Sequence, residues 1–324
     1  MGRDRGRGGR GAEPDRAGRR THGRGEDVAI DTTTPGHGLG APLRLAAGFA
    51  ILVVLVARLG AQPFLDGLAR TDPRALVVAL VVTAATTACC ARRWSLLATG
   101  LGVAVPFRGA YRSCYRAQLL NASLPGGVLG DLHRGYRHGQ DAGALGRGLR
   151  SVLWDRVSGQ AAQAALAVAA VPLLPPAIRG WALAVLVVLV VVGLAVLAAA
   201  PVRRELASGL RGVWPQVLLL SVLAACGHVL VFLVAARTAG LTESTPRLAA
   251  LALLVLLASA VPVSIAGWGP REGAAAWVFG AAGLGAAAGV EVAVVYGVMS
   301  LVATLPGLLT LEGGPAWVSG RTSS

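Results

Sequence analysis

The sequence predicts an all-α fold, a polytopic bundle of membrane helices with about six to eight membrane segments, re-entrant hairpins among them. Three observations predict it. Hydrophobic residues make up 54% of the 324 and charged residues only 14%, with a mean hydropathy of +0.62, whereas a soluble domain is typically about one quarter charged. Several runs of Ala, Val, Leu and Gly reach the roughly 20 residues that cross about 30 Å of hydrocarbon at 1.5 Å per residue. They must be helices, because lipid offers the backbone no hydrogen-bond partner. Finally, two Pro/Gly-rich breaks interrupt the apolar sequence, NASLPGGVLGDLHR (121–134) and SAVPVSIAGWGPREG (259–273), and each leads to an ionisable residue, Asp131 or Glu272. Ionisable side chains beside broken membrane helices mark places where something polar is handled within the bilayer.

Along the chain, residues 1–40 form an Arg/Gly-rich segment whose composition predicts a disordered cytoplasmic tail. The net charge of +14 suggests a nucleic-acid partner only until it is placed. The first 40 residues hold eight Arg and six Asp or Glu, a net of +2, which leaves +12 to the membrane body. The tail is therefore no strong polyanion binder, and no nucleic-acid partner is expected. Residues 41–312 form the membrane domain and 313–324 a short polar tail. The first apolar segment is long for a signal peptide and has no clear cleavage site, so it reads as a retained anchor.

Apolar windows fall near 43–58, 74–91, 157–175, 180–200, 214–235, 247–265 and 288–310. The less apolar stretch 105–130 lies between the second and third. The tail, Arg92/Arg93, the 131–156 loop and Arg203/Arg204/Arg211 are basic, and they share one side if 105–130 enters and leaves by the same face. The positive-inside bias makes that side the cytoplasm. The hairpin's approach arm carries Arg108, Arg112 and Arg116 at i, i+4 and i+8, one helical stripe. The stripe either snorkels to lipid headgroups or forms an anion-attracting ramp.

The second half reads the same way if 247–265 descends, turns at Gly267-Trp268-Gly269 and returns as a helix from Pro270. Pro suits a first helical position, and Glu272 in the first turn complements the helix dipole. Each half then holds two spans, a hairpin and a third span, an inverted repeat with the C-terminus cytoplasmic. The alternative makes 247–265 a complete span. Trp94, Trp181 and Trp214 sit at predicted span ends and read as an aromatic belt. Cys89, Cys90, Cys114 and Cys226 form no CxxC pair and read as small packing residues.

The first hairpin supplies what an anion needs. Gly126 and Gly127 after Pro125 allow a tight turn, and a helix starting there would aim unpaired N–H groups at the tip. Asn121, Asp131 and Arg134 lie close by. Asp131 and Arg134 are three apart and can pair on one face, whereas Asp155 and Arg156, and Arg271 and Glu272, are adjacent and point about 100° apart. Their partners should come from other clusters, since burying any charge alone is costly. The charges either serve a substrate or only hold the bundle together. With no HExxH, GxSxG or P-loop, and with His133 and His138 read as loop residues and His228 as a packing residue, no enzyme, metal or cofactor is expected.

NASLPGGVLGDLHR, then SVLWDRVSG (151–159), then VPVSIAGWGPREG (261–273) and a late apolar span resemble, in order, the motifs of the bacterial flippase-like family, also called the lysylphosphatidylglycerol synthase transmembrane region. The resemblance covers roughly 45–312 and implies a polytopic inner-membrane protein related to the lipid-translocating part of the enzyme that makes and flips aminoacylated phosphatidylglycerol. It assigns the family's motif residues to Asn121, Pro125, Gly127, Asp131 and Arg134, its middle Glu-Arg pair to Asp155-Arg156, and its late Gly-x-x-Glu element to Gly269 and Glu272. The usual double Gly before the first Asp is Leu129-Gly130 here, which puts the local backbone in question. No aminoacyltransferase domain is expected after residue 312, so the chain should not make lysyl-lipid itself.

The function expected is binding or translocation of an anionic lipid between leaflets, either a phospholipid or a polyprenyl-phosphate carrier. The alternatives are a non-transporting scaffold of a cell-envelope complex and a membrane glycosyl- or phosphotransferase using Asp131 or Asp155 as base. The binding residues expected are Asn121, Pro125, Gly126, Gly127, Asp131, Arg134, Asp155, Arg156, Gly269, Arg271 and Glu272.

Overall fold

A computed structural model describes residues 60–124, 126–209, 212–261 and 268–310, together with Phe49 and a few helical positions between 53 and 58. The two predicted tails, most of the 43–58 window, Pro125 and Gly267 lie outside the described residues. Among those described, the regular elements are helices: α1 (Gln62–Ala69), α2 (Pro73–Gly100), α3 (Phe107–Ser123), α4 (Leu129–Asp141), α5 (Leu145–Ala170), α6 (Pro176–Ala198), α7 (Ala200–Gly209), α8 (Trp214–Thr238), α9 (Thr245–Ala258), α10 (Pro270–Ala281) and α11 (Ala286–Thr304), which a 3₁₀ turn over Leu305–Thr310 extends. Four of the described stretches are long and apolar enough to cross a membrane: Pro73–Gly100, Pro176–Val196, Trp214–Thr238 and Ala286–Thr310.

Sequence chemistry explains where the helices begin. Asp72 caps α2, its carboxylate accepting from Arg74 N at 2.9 Å, and Pro73 takes the first helical position where its missing N–H costs nothing. α2 runs nine residues past the predicted window. Arg93, Trp94, Leu97 and Ala98 are all buried there, so protein rather than lipid surrounds its last turns. α5 likewise starts twelve residues before its window, because its first turns carry Arg147, Arg150, Asp155 and Arg156.

The central pair is α2 and α8, which run antiparallel: Arg93 meets Ser221 at one end and Arg70 meets Ala239 at the other. Helices in lipid gain nothing by hiding apolar surface from one another, so close packing must hold them. Small residues supply it. Ala79, Ala235, Ala252, Ala275, Ala293 and Ala303 have no exposed surface, and they let large side chains such as Phe232, Leu248, Phe279 and Met299 fill the space between backbones.

Two helical hairpins enter this frame from opposite ends. In the first, α3 and α4 are antiparallel, Asn121 facing Asp131 and Cys114 facing Arg134. The hairpin base lies at the C-terminal end of α2, where Ser95 Oγ donates to Val105 O at 2.7 Å and His138 Nε2 lies 2.7 Å from Val103 O. Deeper along the arm, Gln118 meets Thr87, near the midpoint of the 28-residue α2. The hairpin therefore goes about halfway in and returns. In the second, Arg247 at the start of α9 donates to Ala282 O just past α10, so that pair also enters and leaves at one end. That end adjoins the N-terminal end of α2, since Arg70 pairs with Glu291 of α11 and bonds Ala239 after α8. The α9–α10 pair is thus a hairpin, and not a complete span followed by a loop. The chain then returns through α11, and Thr310 ends beside Arg116 of the first hairpin.

The stretch 131–156, expected as a loop, is instead α4 plus the first turns of α5, with only residues 142–144 between them. His138 is accordingly a buried helix residue, and not a loop histidine.

Candidate functional site

Charges from three helices meet at the inner face of the first hairpin. Asp155 of α5 accepts from Arg93 Nε of α2 at 2.7 Å and from Arg134 Nη2 of α4 at 3.0 Å. Arg134 Nη2 also donates to Asp131 at 2.8 Å, one turn earlier on its own helix. Arg156 completes the chain, donating from Nε to Asp131 Oδ2 at 2.9 Å, and from Nη2 to the same oxygen. The Asp131–Arg134 pair forms as their spacing predicts, and the adjacent Asp155 and Arg156 take partners on other helices, as expected.

Asn121 locks the hairpin. Its Nδ2 donates to Asp131 Oδ2 at 2.7 Å, and its Oδ1 accepts from Gly130 N at 2.8 Å. The second bond alters an expectation. α4 begins at Leu129 rather than at Gly126, and one of its first N–H groups is already satisfied by Asn121. Gly126 and Gly127 form the turn, with φ of 95° and 63°, conformations that side-chain-bearing residues rarely adopt. The reduced double Gly also finds its explanation. Leu129 faces outward, half-exposed, while a Cβ on Gly130 would lie 2.1 Å from Ala117 O, so only the second position demands glycine.

Arg93, Cys114, Asn121, Asp131, Arg134, Asp155 and Arg156 line a cavity of about 230 Å³ together with Cys90, Gln118, Gln160, Gln163, Ser221 and His228, whereas the expected binding residues Gly126 and Gly127 do not border it. Its charged groups are three guanidinium groups, Arg93, Arg134 and Arg156, against two carboxylates, Asp131 and Asp155, a net of +1 before His228 is counted. The side chains of Arg93 and Arg134 are 6% and 4% exposed, and that of Arg156 is 35% exposed. Arg156 is therefore the guanidinium an entering ligand can reach. Arg134 Nε and Gln163 Nε2 are buried donors without a protein partner, and Gln160 Oε1 is a buried acceptor without one.

Arg93 and Trp94 belong to the site although they lie outside the three sequence motifs. Trp94 is 1% exposed and belongs to no aromatic belt: its Nε1 donates to Ser151 Oγ at 2.9 Å, and its ring lies 4.5 Å beneath the Arg134 guanidinium. The belt expectation suits the half-exposed Trp181 and Trp214. Cys114 does more than pack, since Arg134 Nη1 donates to its sulfur at 2.9 Å. The signal available for Arg93 was its phase on α2, one residue before Trp94 and four before Leu97, all three of them buried.

Gly269, Arg271 and Glu272 sit elsewhere. Glu272, with no exposed surface, accepts from Gly269 N at 2.7 Å and so caps the start of α10. Arg271 was expected to find its partner in another cluster. Instead its side chain folds back onto its neighbour, Nε and Nη2 reaching Glu272 Oε1 at 2.9 and 2.6 Å, while Trp268 and Tyr296 flank the guanidinium at 5.3 and 5.5 Å. A guanidinium on four flexible bonds can reverse direction where a short aspartate cannot. This second cluster is electrically neutral and contributes nothing to the cavity lining, so Asp131 and Glu272 do not face one common cavity. Among the described residues, no group of His, Cys, Asp and Glu is arranged to hold a metal ion.

None of the curated proteins compared with the chain matches it. The family described as the lysylphosphatidylglycerol synthase TM region matches residues 42–307. That span contains both hairpins, the charged cavity and the neutral cluster, and the protein belongs to the lysylphosphatidylglycerol synthase transmembrane region family.

Proposed function

We propose that the protein binds an anionic lipid at the first hairpin and moves it between leaflets, the phosphate entering the Arg-rich cavity while the acyl chains stay in the bilayer. The observation that carries the proposal is the charge imbalance. A buried cluster built only to hold helices together costs least when it is neutral, as the Arg271–Glu272 pair is. The cavity instead keeps one positive charge in excess, a reachable Arg156, and buried donors on Arg134 and Gln163 that a phosphate oxygen would satisfy. Unsatisfied buried groups cost about 1–3 kcal/mol each, so a ligand that meets them gains that much. The helix N-terminus contributes less than the sequence suggested, because Asn121 occupies the Gly130 N–H. The protein acts without chemical catalysis and without a cofactor. Its setting is the bacterial plasma membrane, with the N-terminus, the α4–α5 connection and the C-terminus cytoplasmic.

The experiment is transfer of headgroup-labelled phosphatidylglycerol in reconstituted vesicles, with folded protein quantified for each variant. Arg156→Gln takes the cavity from +1 to 0 and should weaken lipid binding. Asp131→Asn takes it to +2 and should hold the lipid more tightly while slowing its release. Both should lower transfer at least tenfold, the effect of roughly 1.4 kcal/mol. Normal transfer by both variants would leave the scaffold reading ahead.

A further inference from the structure

The hairpin that lines the cavity with one face carries a second set of residues on its other. Along α3, Arg116, Leu120 and Leu124 succeed one another at i, i+4 and i+8; along α4, Leu129, His133 and Arg137 do the same. At 100° per residue, Arg116 and Leu120 lie about 200° from Cys114 and Gln118, and Leu129 and His133 lie about 200° from Asp131 and Gly135. The two rows therefore point away from the cavity, and together they line a separate groove of about 470 Å³.

The rows are antiparallel, which gives the groove a polarity. At the tip, Leu124 and Leu129 flank the turn, 38% and 43% exposed. Eight residues further along each arm, about 12 Å on, come Arg116 and Arg137 at the base, where His138 is tied to Val103 O. The groove thus runs from leucines at mid-membrane depth to cations at the membrane surface. None of its six lining residues is a carboxylate. Arg116 is held in place because its Nη2 donates to Thr310 O, yet its buried Nε has no protein partner. The outer residues of the same stripe, Arg108 and Arg112, remain exposed beyond the groove.

We infer that this outer groove is a binding site for an anionic glycerophospholipid of the leaflet at the hairpin base, its phosphate between Arg116, His133 and Arg137 and one acyl chain along Leu120, Leu124 and Leu129. A membrane phospholipid is the amphiphile whose charge and apolar ends are ordered along the bilayer normal as these residues are. A soluble phosphate would use only the basic end and leave the leucine row without purpose. The site is distinct from the cavity and does not rest on the transport reading, for a lipid held here need not cross.

The test uses the full chain in phosphatidylcholine vesicles doped with phosphatidylglycerol that bears a diazirine on one acyl chain, with the adducts mapped by mass spectrometry. Adducts should concentrate on residues 120–129, and phosphatidylglycerol should label them several times more strongly than phosphatidylcholine bearing the same diazirine. Arg137 is exposed and makes no hydrogen bond or salt bridge among the described residues, so Arg137→Gln should fold normally and lower this labelling about fivefold, the effect of one surface cation on an anionic lipid. Excess soluble glycerol phosphate should leave it unchanged. Equal labelling by both lipids, indifference to Arg137→Gln, or displacement by glycerol phosphate would each overturn the inference. Adducts on residues 159–163 of α5 report on the cavity instead, so failure of the groove and failure of the transport reading are separately visible.

Discussion

The Arg93–Asp155 pair is the most exacting test of how the cavity is held together. Both side chains are about 5% exposed, and Nε lies 2.7 Å from the carboxylate. With roughly 4 Å between charge centres and an effective dielectric near 20, their attraction is about 4 kcal/mol. Asp155→Asn leaves Arg93 with Ser221 and a distant Cys90, and deprives Arg134 of one of its two carboxylates. The cluster rises to +2, and the cost should approach 4 kcal/mol, within the range of about 3–5 kcal/mol for breaking a buried pair. Arg93→Met leaves Asp155 still paired with Arg134, so about 3 kcal/mol is expected. The double variant returns the cluster to +1. It should cost about 4 kcal/mol in total, giving a coupling near 3 kcal/mol. Equilibrium unfolding in mixed micelles, followed by tryptophan fluorescence with Trp94 beside the cluster, measures all four proteins. A coupling below about 0.5 kcal/mol would refute the claim that Asp155 is what makes the buried Arg93 tolerable.

Gly130→Ala should force α3 and α4 apart, because its Cβ would meet the Ala117 carbonyl at 2.1 Å; a loss of about 3 kcal/mol in the same unfolding assay is the expected readout. Glu272→Gln strips Arg271 of its carboxylate partner and should cost about 3 kcal/mol in the same unfolding assay, yet the folded fraction should keep its cavity affinity for phosphatidylglycerol, since Glu272 does not line the cavity. An impermeant thiol reagent should reach a cysteine placed at Arg147 and one placed at Thr242 from opposite sides of the membrane, and a reporter fused after Ser324 should lie on the Arg147 side, because Thr310 ends beside the first hairpin while Thr242 follows α8 at the other end.

The sequence made legible whatever depends on contact with lipid. α6, α8 and α11 match their apolar windows within a few residues, since a helix facing lipid must be apolar along most of its length. Pro270 and Glu272 foretold the start of α10, because cap chemistry is local. Elements that face protein were harder to see. α4 and the first turns of α5 carry six arginines and histidines between 133 and 150, so a hydropathy window takes them for a loop, although Arg134 and His138 are buried. Arg93 was hidden for the converse reason: at the end of an apolar run beside Arg92, it looks like an interfacial anchor, and the tertiary contact with Asp155 shows that it points inward. Partner choice was legible only where the acid of the adjacent pair is a short aspartate. Asp155 and Arg156 had to look elsewhere, whereas the length of Arg271 let it satisfy its own neighbour.

The two halves use the same ingredients in different proportions, and the difference bears on where a charged ligand can rest. Each half places an acidic residue in the first turn of a hairpin's return helix, Asp131 on α4 and Glu272 on α10. On α10 the acid caps its own helix and takes a single arginine, so the pair is neutral and sealed between Trp268, Tyr296 and Gly297, where an added Cβ would collide with the guanidinium at 2.4 Å. On α4 the capping duty passes to Asn121, which frees Asp131 to gather Arg134 and Arg156, and through Arg134 to reach Asp155 and Arg93. Moving one hydrogen bond from the acid to a neighbouring amide thus turns a closed pair into an open array with more cations than anions. On the proposed function, an anion entering the protein would gain from the array and nothing from the neutral pair, which would concentrate affinity in the half that holds the first hairpin.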